Sequence, residues 1–258
     1  MNNSSRQHRS RWISALLSLL LLAGCGEKKR ATVRFPDPPP ITTTTTTTSK
    51  SSTLPPEAQA EVPKKAEQPR IAKNAKAIWS EVGYASWYGP DYHNRRGSNG
   101  EVYDMNAFTA AHRTIPLNSL VRVTNEKTGQ VVSVRITDRG PFVTDRVIDL
   151  SKAAAKEVDV YKHGTQKVKV EVIESPKPIA TGGRWCVQIG AIDDEDEATK
   201  LKSKLARKYK TAKVLEFSGP RNDWWVRVRV PLDDRKKAEE IARANTAPQG
   251  AVFLVRLD

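Results

Sequence analysis

From Trp79 onward, apolar and polar residues alternate in short runs: Val82 to Tyr88, Val121-Arg122-Val123-Thr124, Val131 to Thr137 and Val168-Lys169-Val170-Glu171-Val172. A period of two puts successive side chains on opposite faces and predicts half-buried β-strands. Turn signals separate the runs, notably Asn125-Glu126-Lys127-Thr128-Gly129. One short helix is predicted at Ser151-Lys152-Ala153-Ala154-Ala155-Lys156-Glu157, with Ser151 placed to cap its first turn. About 95 residues of this texture suit a small barrel.

The pattern changes after the linker Ser175-Pro176-Lys177-Pro178 and Gly182-Gly183. Trp185 to Ala191 reads as a strand, and Asp193 to Tyr209 as a helix that sets Ala198, Leu201 and Leu205 on one face behind an acidic first turn. Strands follow near Val214 to Phe217 and Trp224 to Val230, then a helix from Asp233 to about Asn245 with Ala238, Ile241 and Ala242 inward, then a strand from Val252 to Leu257. The order βαββαβ predicts a ferredoxin-like sheet with helices on one face. Val187, Ile189, Val226, Val228 and Val230 would face those helices, leaving Cys186, Gln188, Trp225, Arg227 and Arg229 as an outward platform.

The N-terminal quarter has no such periodicity. Arg6, His8, Arg9 and Arg11 precede an apolar run from Trp12 to Ala23 that ends in Leu22-Ala23-Gly24-Cys25. About a dozen apolar residues are too few to cross a bilayer, so the run predicts a secretory signal over residues 1–24. Residues 26 to about 77 are rich in Pro, Lys, Glu, Ala and Thr, with seven consecutive threonines from Thr42 to Thr48. Such a composition cannot bury enough apolar surface to fold, which predicts a disordered tether through residue 77. As a coil it would span roughly 40 Å.

The formal charge of +14 falls to +11 when the three arginines of the signal are removed. A basic balance suits nucleic acid or an anionic surface. Export disfavours nucleic acid and points instead to lipid head groups and the polyanionic wall. Cys25 and Cys186 are the two cysteines, so no disulfide framework replaces a core. His8, His93, His112 and His163 have no paired metal-ligand spacing, no glycine-rich phosphate loop is present, and neither a metal nor another cofactor is expected.

The barrel segment carries Glu101, His112 and Asp138. Two carboxylates and an imidazole in one compact β segment point to acid-base chemistry on a neutral, sugar-like substrate. Each has a plainer reading: Glu101 as a solvated loop acid, His112 as a structural histidine, Asp138 as a turn aspartate satisfying local amides. Asp149 is read as structural. Trp87, Tyr88 and Tyr103 offer flat faces for sugar rings, with core packing an equal alternative for Trp87.

Several motifs in the first folded segment resemble the double-psi β-barrel of the rare lipoprotein A family of septal-ring lytic transglycosylases. They are Gly83-Tyr84-Ala85-Ser86-Trp87-Tyr88-Gly89, Asn99-Gly100-Glu101, Tyr103-Asp104-Met105, Thr109-Ala110-Ala111-His112, Asp138-Arg139-Gly140-Pro141-Phe142 and Asp149-Leu150-Ser151. Val187-Gln188-Ile189-Gly190-Ala191 and Arg227-Val228-Arg229-Val230-Pro231 resemble the sporulation-related (SPOR) repeat, a binder of glycan stripped of its stem peptides. Leu-Ala-Gly-Cys resembles a lipobox, which implies a lipidated Cys25 and an outer-membrane anchor facing the periplasm.

The resemblance implies a barrel over residues 78–174, a linker over 175–181 and a SPOR domain over 182–258. It also implies cleavage of the β-1,4 bond between N-acetylmuramic acid and N-acetylglucosamine without water, with Asp138 as acid and then base and with Glu101 and His112 assisting. Gln188, Trp225 and Arg227 would bind glycan in the second domain. A monomer is expected. The alternative is a non-catalytic, expansin-like wall binder. Two departures stand out: Gly97-Ser98 replaces the usual Thr-Ala, and the loop Asp91 to Arg96 differs from the usual Phe-His-Gly-Arg.

Overall fold

The computed structural model describes residues 66–72, 74–217 and 223–258. The expected signal, Cys25 and the tether as far as residue 65 lie outside the described residues. Contacts with the folded part begin before residue 77, where composition predicted a free tether. Ala66 packs on the barrel core, the Gln68 side-chain oxygen accepts from the Ser133 amide at 3.3 Å, and the Ala75 carbonyl accepts from Arg122 at 3.3 Å.

Six strands close a barrel: β1 (Trp79–Trp87), β2 (Thr109–His112), β3 (Leu120–Asn125), β4 (Val131–Asp138), β5 (Arg146–Leu150) and β6 (Gln166–Glu174), in the order β1-β5-β2-β4-β3-β6. β1 and β5 run parallel, as do β2 and β4, and the other neighbours are antiparallel. Alternation supplies the core. Val121 and Val123, Val132, Val134 and Ile136, and Val168, Val170 and Val172 all point inward and are fully buried. Between β5 and β6 lie α1 (Lys152–Glu157) and α2 (Val160–His163). The Ser151 hydroxyl accepts from the Ala154 amide at 3.2 Å and caps α1.

The second fold is a sheet of β7 (Trp185–Ile192), β8 (Ala212–Phe217), β9 (Asp223–Arg229) and β10 (Ala251–Arg256), ordered β10-β7-β9-β8 and antiparallel throughout. α3 (Glu195–Ala206) and α4 (Arg235–Arg243) cover one face. Asp194 and Asp234 cap them by accepting from the Glu197 and Lys237 amides at 2.8 and 3.1 Å. Ala198, Leu205, Ala238 and Ile241 bury themselves against Val187, Ile189, Val226 and Val228, as the helical spacing predicted.

The other face of this sheet is where the structure differs from the expected solvent-facing platform. Gln188 is 1% exposed, Trp225 4% and Cys186 fully buried. The barrel covers them. Phe142, in the loop after β4, places its ring 5.2 Å from Trp225 and 5.8 Å from Phe253, and the Arg113 guanidinium lies 5.5 Å from the Phe253 ring. Backbone bonds join the two parts, from the Arg256 amide to the Arg113 carbonyl at 3.0 Å and from the Leu117 amide to the Asp258 carbonyl at 3.4 Å. Large aromatic side chains exposed on a sheet bury readily against a neighbouring apolar ring, and Phe142 provides one. Burial raises the Cys186 thiol to about 11, which keeps it protonated and unreactive near neutral pH.

Candidate active site

Asp138 ends β4, and the ladder geometry there sets its direction. β2 and β4 pair as Ala110 with Ile136 and then Ala111 with Asp138, so the register slips by one residue and Thr137 is left over. Such an extra residue re-aims the side chain that follows it. Ile136 and Thr137 are both buried, whereas Asp138 comes out at the barrel surface half-buried.

The loop from Gly97 to Glu101 is latched onto this strand end. The Asn99 amide donates to the Thr137 carbonyl at 3.1 Å, and the loop closes on itself through the Gly97 amide and the Glu101 carbonyl at 2.8 Å. Gly100 sits at φ +91°, a conformation that favours glycine. The Asn99 side chain accepts from the Glu101 amide at 3.0 Å. Latching brings the two expected carboxylates together: Glu101 and Asp138 line one cavity of about 100 Å³, with Gly97, Tyr103, Asp104 and Thr109.

Three donors converge on one oxygen of Asp138. The Ser98 hydroxyl lies 2.5 Å from Oδ1, the Ser98 amide 3.0 Å and the Arg139 amide 2.7 Å. With Oδ1 occupied as an acceptor, a proton carried by this carboxyl resides on Oδ2. Asp104 was not singled out by sequence reasoning. It sits three residues after Glu101 in the Tyr103-Asp104-Met105 motif, and its carboxylate accepts from the Asn106 amide at 2.9 Å. Among the described residues, no three His, Cys, Asp or Glu side chains group so as to hold a metal ion.

A wider cleft of about 480 Å³ adjoins, lined by Tyr88, Tyr92, Tyr103, Asp138 and Arg139 among others. The Tyr88 ring lies 4.4 Å from Tyr103 and 6.1 Å from Tyr92. Burial raises both Tyr88 and Tyr103, with Tyr103, Asp138 and Asp149 adding to the rise of Tyr88 and Asp104 to that of Tyr103, so both phenols stay neutral.

Residues 80–170 match the family model described as lytic transglycolase, and residues 181–252 match the SPOR domain. In both folded parts the chain is similar to RlpA proteins. Among relatives named endolytic peptidoglycan transglycosylase RlpA, that of Neisseria meningitidis serogroup B is 45% identical over 139 residues, covering 53% of this chain and 58% of that protein. Those of Vibrio cholerae and Pseudomonas aeruginosa are 51% identical over 109 residues and 54% over 103, covering 42% and 40% of this chain and 41% and 30% of theirs. The matched segment therefore spans less than two thirds of each relative's length.

The departure from the RlpA pattern at Gly97-Ser98 acquires a physical meaning here. A Cβ at position 97 would stand 3.0 Å from the Thr137 carbonyl oxygen, so glycine keeps the loop close to β4 and the cavity open. The hydroxyl missing at 97 is supplied one residue later by Ser98, directly on Asp138. Hydrogen bonds to charged groups contribute about 1.5–3 kcal/mol. On the function proposed below, Ser98→Ala, which keeps the two backbone donors, is expected to slow cleavage of peptide-free glycan about tenfold in initial-rate assays.

His112 is not brought to the cavity. It is 3% exposed, and its Nδ1 accepts from the Thr114 and Ile115 amides at 3.1 and 2.9 Å. Nε2 must then carry the proton, and it donates to Glu81 in a short hydrogen bond. Trp79 packs edge-on against the ring at 6.0 Å. The expected grouping with Glu101 and Asp138 gives way because two amides and a carboxylate satisfy the imidazole inside the barrel wall.

Trp87 likewise lies outside the cavity linings, its ring 4.8 Å from Tyr161 at the core edge. Asp149 ties strands together, accepting from Ser86 at 2.6 Å and Arg146 at 3.3 Å. Arg139, next to the candidate acid, spans both folds. It donates to the His112 and Ile115 carbonyls at 2.9 and 2.7 Å and to the Asp258 carbonyl at 2.8 Å. Burial, followed by repulsion from Arg256, pushes its guanidinium down to about 10, still cationic at neutral pH.

Proposed function

We propose that this chain is an endolytic peptidoglycan transglycosylase that cleaves the β-1,4 bond between N-acetylmuramic acid and N-acetylglucosamine in glycan lacking stem peptides. The observation that carries the reading is the shared cavity of Glu101 and Asp138 at the edge of a tyrosine-walled cleft. Tyrosine faces suit pyranose C–H groups.

Asp138 starts protonated on Oδ2 and donates to the glycosidic oxygen as its bond to C1 breaks. Glu101, the second carboxylate of the cavity, faces the positive charge that develops on the ring. The C6 hydroxyl of the same muramic acid then closes on C1 and returns its proton to Asp138. No water is consumed, because the nucleophile is held within the sugar and gains from proximity. The three donors on Oδ1 stabilise the carboxylate between the two transfers. His112 serves by holding the barrel wall behind the site.

In this reading, the chain works at the division septum, tied to the outer membrane through lipidated Cys25 and reaching the wall along its tether. The SPOR domain holds peptide-free strands. Digestion of peptide-free glycan by the purified chain tests the enzymatic claim through the masses of the product ends. The expected termini are 1,6-anhydro-muramoyl. Reducing muramoyl ends would show hydrolysis instead, and intact glycan would indicate a binder.

A further inference from the structure

Asp138 is followed by a loop that the C-terminal sheet holds at two points. At its start, the Arg139 guanidinium donates through Nη2 to the Asp258 carbonyl at 2.8 Å, while Nη1 donates to the barrel carbonyls of His112 and Ile115 at 2.9 and 2.7 Å. At its end, the Phe142 ring packs 5.2 Å from Trp225 and 5.8 Å from Phe253. Only Gly140 and Pro141 lie between. The backbone amide of Arg139 is also one of the three donors on Asp138 Oδ1, at 2.7 Å. Side chain and amide belong to one residue, so whatever fixes the guanidinium also restrains the peptide plane that aims the amide. Burial and Arg256 act against the cationic form of Arg139, and Asp138 is the leading charge that favours it. Burying a guanidinium is costly, and apolar packing alone could join two folds. The charge has a use beside a carboxyl that must be aimed.

We propose that Arg139 is a positioning residue for Asp138, and that docking of the C-terminal sheet on the loop 139–142 sets the acid in its working orientation. The inference rests on the function proposed above and gives the second fold a part in the chemistry itself. In the docked arrangement the Arg139 amide occupies Oδ1 and leaves Oδ2 to carry the proton. When the sheet releases the loop, the tie to Asp258 and the aromatic packing are lost together, and the carboxyl samples orientations that miss the scissile oxygen. A misplacement of about 1 Å can slow such a step by about a hundredfold.

The test acts from the sheet side, at a residue outside the linings of the cavity and the cleft. Phe253→Ala in the full chain removes the ring packed on Phe142 and leaves every barrel side chain in place. Three quantities are measured: kcat and KM on peptide-free glycan, amide exchange in peptides spanning 137–142, and, with Cys25 replaced by Ser, maleimide labelling of Cys186, the buried thiol of the docked face. The expected result is a fall in kcat of about tenfold with KM within about twofold, and exchange and labelling each faster by about tenfold. Arg139→Gln should lower kcat about ten- to a hundredfold with KM again steady. Arg139→Lys, which keeps the charge without the planar fork, should recover part of the loss.

Faster labelling in Phe253→Ala with kcat or exchange unchanged would overturn the proposal. Labelling as slow as in the unmodified chain would do so too, because the ring would then clamp nothing. A KM that rises at constant kcat in Arg139→Gln would show Arg139 binding sugar rather than aiming the acid, and would equally overturn it. Should Phe253→Ala not fold, the Arg139 variants decide: an unchanged kcat in both sinks the proposal, and the graded loss supports it. A full chain that cuts no glycan refutes the enzymatic reading instead, and exchange and labelling then judge the clamp on their own.

Discussion

Asp138→Asn is expected to lower kcat on peptide-free glycan by about a hundred- to ten-thousandfold, the range associated with a positioned proton donor. The variant is conservative in every other respect. The asparagine oxygen can still accept from the Ser98 hydroxyl, the Ser98 amide and the Arg139 amide, which now hold Oδ1 at 2.5, 3.0 and 2.7 Å. The loop from Gly97 to Glu101 therefore stays latched, and KM and thermal stability should change little. What is lost is the transferable proton on the other oxygen. Counting anhydro-muramoyl ends by mass spectrometry over time provides the readout. Retention of more than a tenth of the unmodified rate would remove Asp138 from the chemistry.

The second large effect concerns stability. Replacing His112 by Ala should destabilise the fold by about 3 kcal/mol, read from the midpoint of urea unfolding, because it leaves two buried amides and Glu81 without their partner. Activity should fall only as the folded fraction falls, since the imidazole lies outside the cavity lining. A variant that stays fully folded yet inactive would return His112 to a direct role.

The pH dependence has a defined sign. Burial lowers the proton affinity of His112, Glu81 partly offsets this, and Arg113 and Arg139 add to it. Below its ordinary value of about 6.5, the unfolded chain therefore binds a proton that the folded chain resists, and stability declines as pH falls. His112→Ala should flatten that decline between roughly pH 7 and 5. Asp149 works in the opposite direction and lower down, because burial raises it and protonation there favours the folded state.

Legibility of the fold varied with strand length and side-chain type. The valine-rich β3, β4 and β6 and the long β1 announce themselves by alternation. β2 and β5 did not stand out as strands. Thr109-Ala110-Ala111-His112 is four residues long with two alanines, which have low strand propensity, and Arg146–Leu150 is only five residues long. Both are strands because they each fill a gap between parallel and antiparallel neighbours in a closed barrel, a non-local requirement.

The candidate site shows the same division. Glu101 and Asp138 could be named from motifs, but their meeting depends on the slipped register at Ala111 and on the loop bonds at Thr137. The alternation in β7 and β9 correctly separated the helix-facing valines from Gln188, Trp225 and Arg227. It could not reveal that Phe142, some 80 residues from Trp225, covers that second face.

The central claim is that residue 138 meets the scissile oxygen inside the cavity it shares with Glu101. The most direct measurement is a crystal structure of the Asp138→Asn chain bound to a peptide-free muramoyl tetrasaccharide. The account predicts the glycosidic oxygen between N-acetylmuramic acid and N-acetylglucosamine within hydrogen-bond reach of residue 138, with Tyr88 and Tyr103 against the flanking rings. An ordered sugar that leaves residue 138 untouched would contradict it.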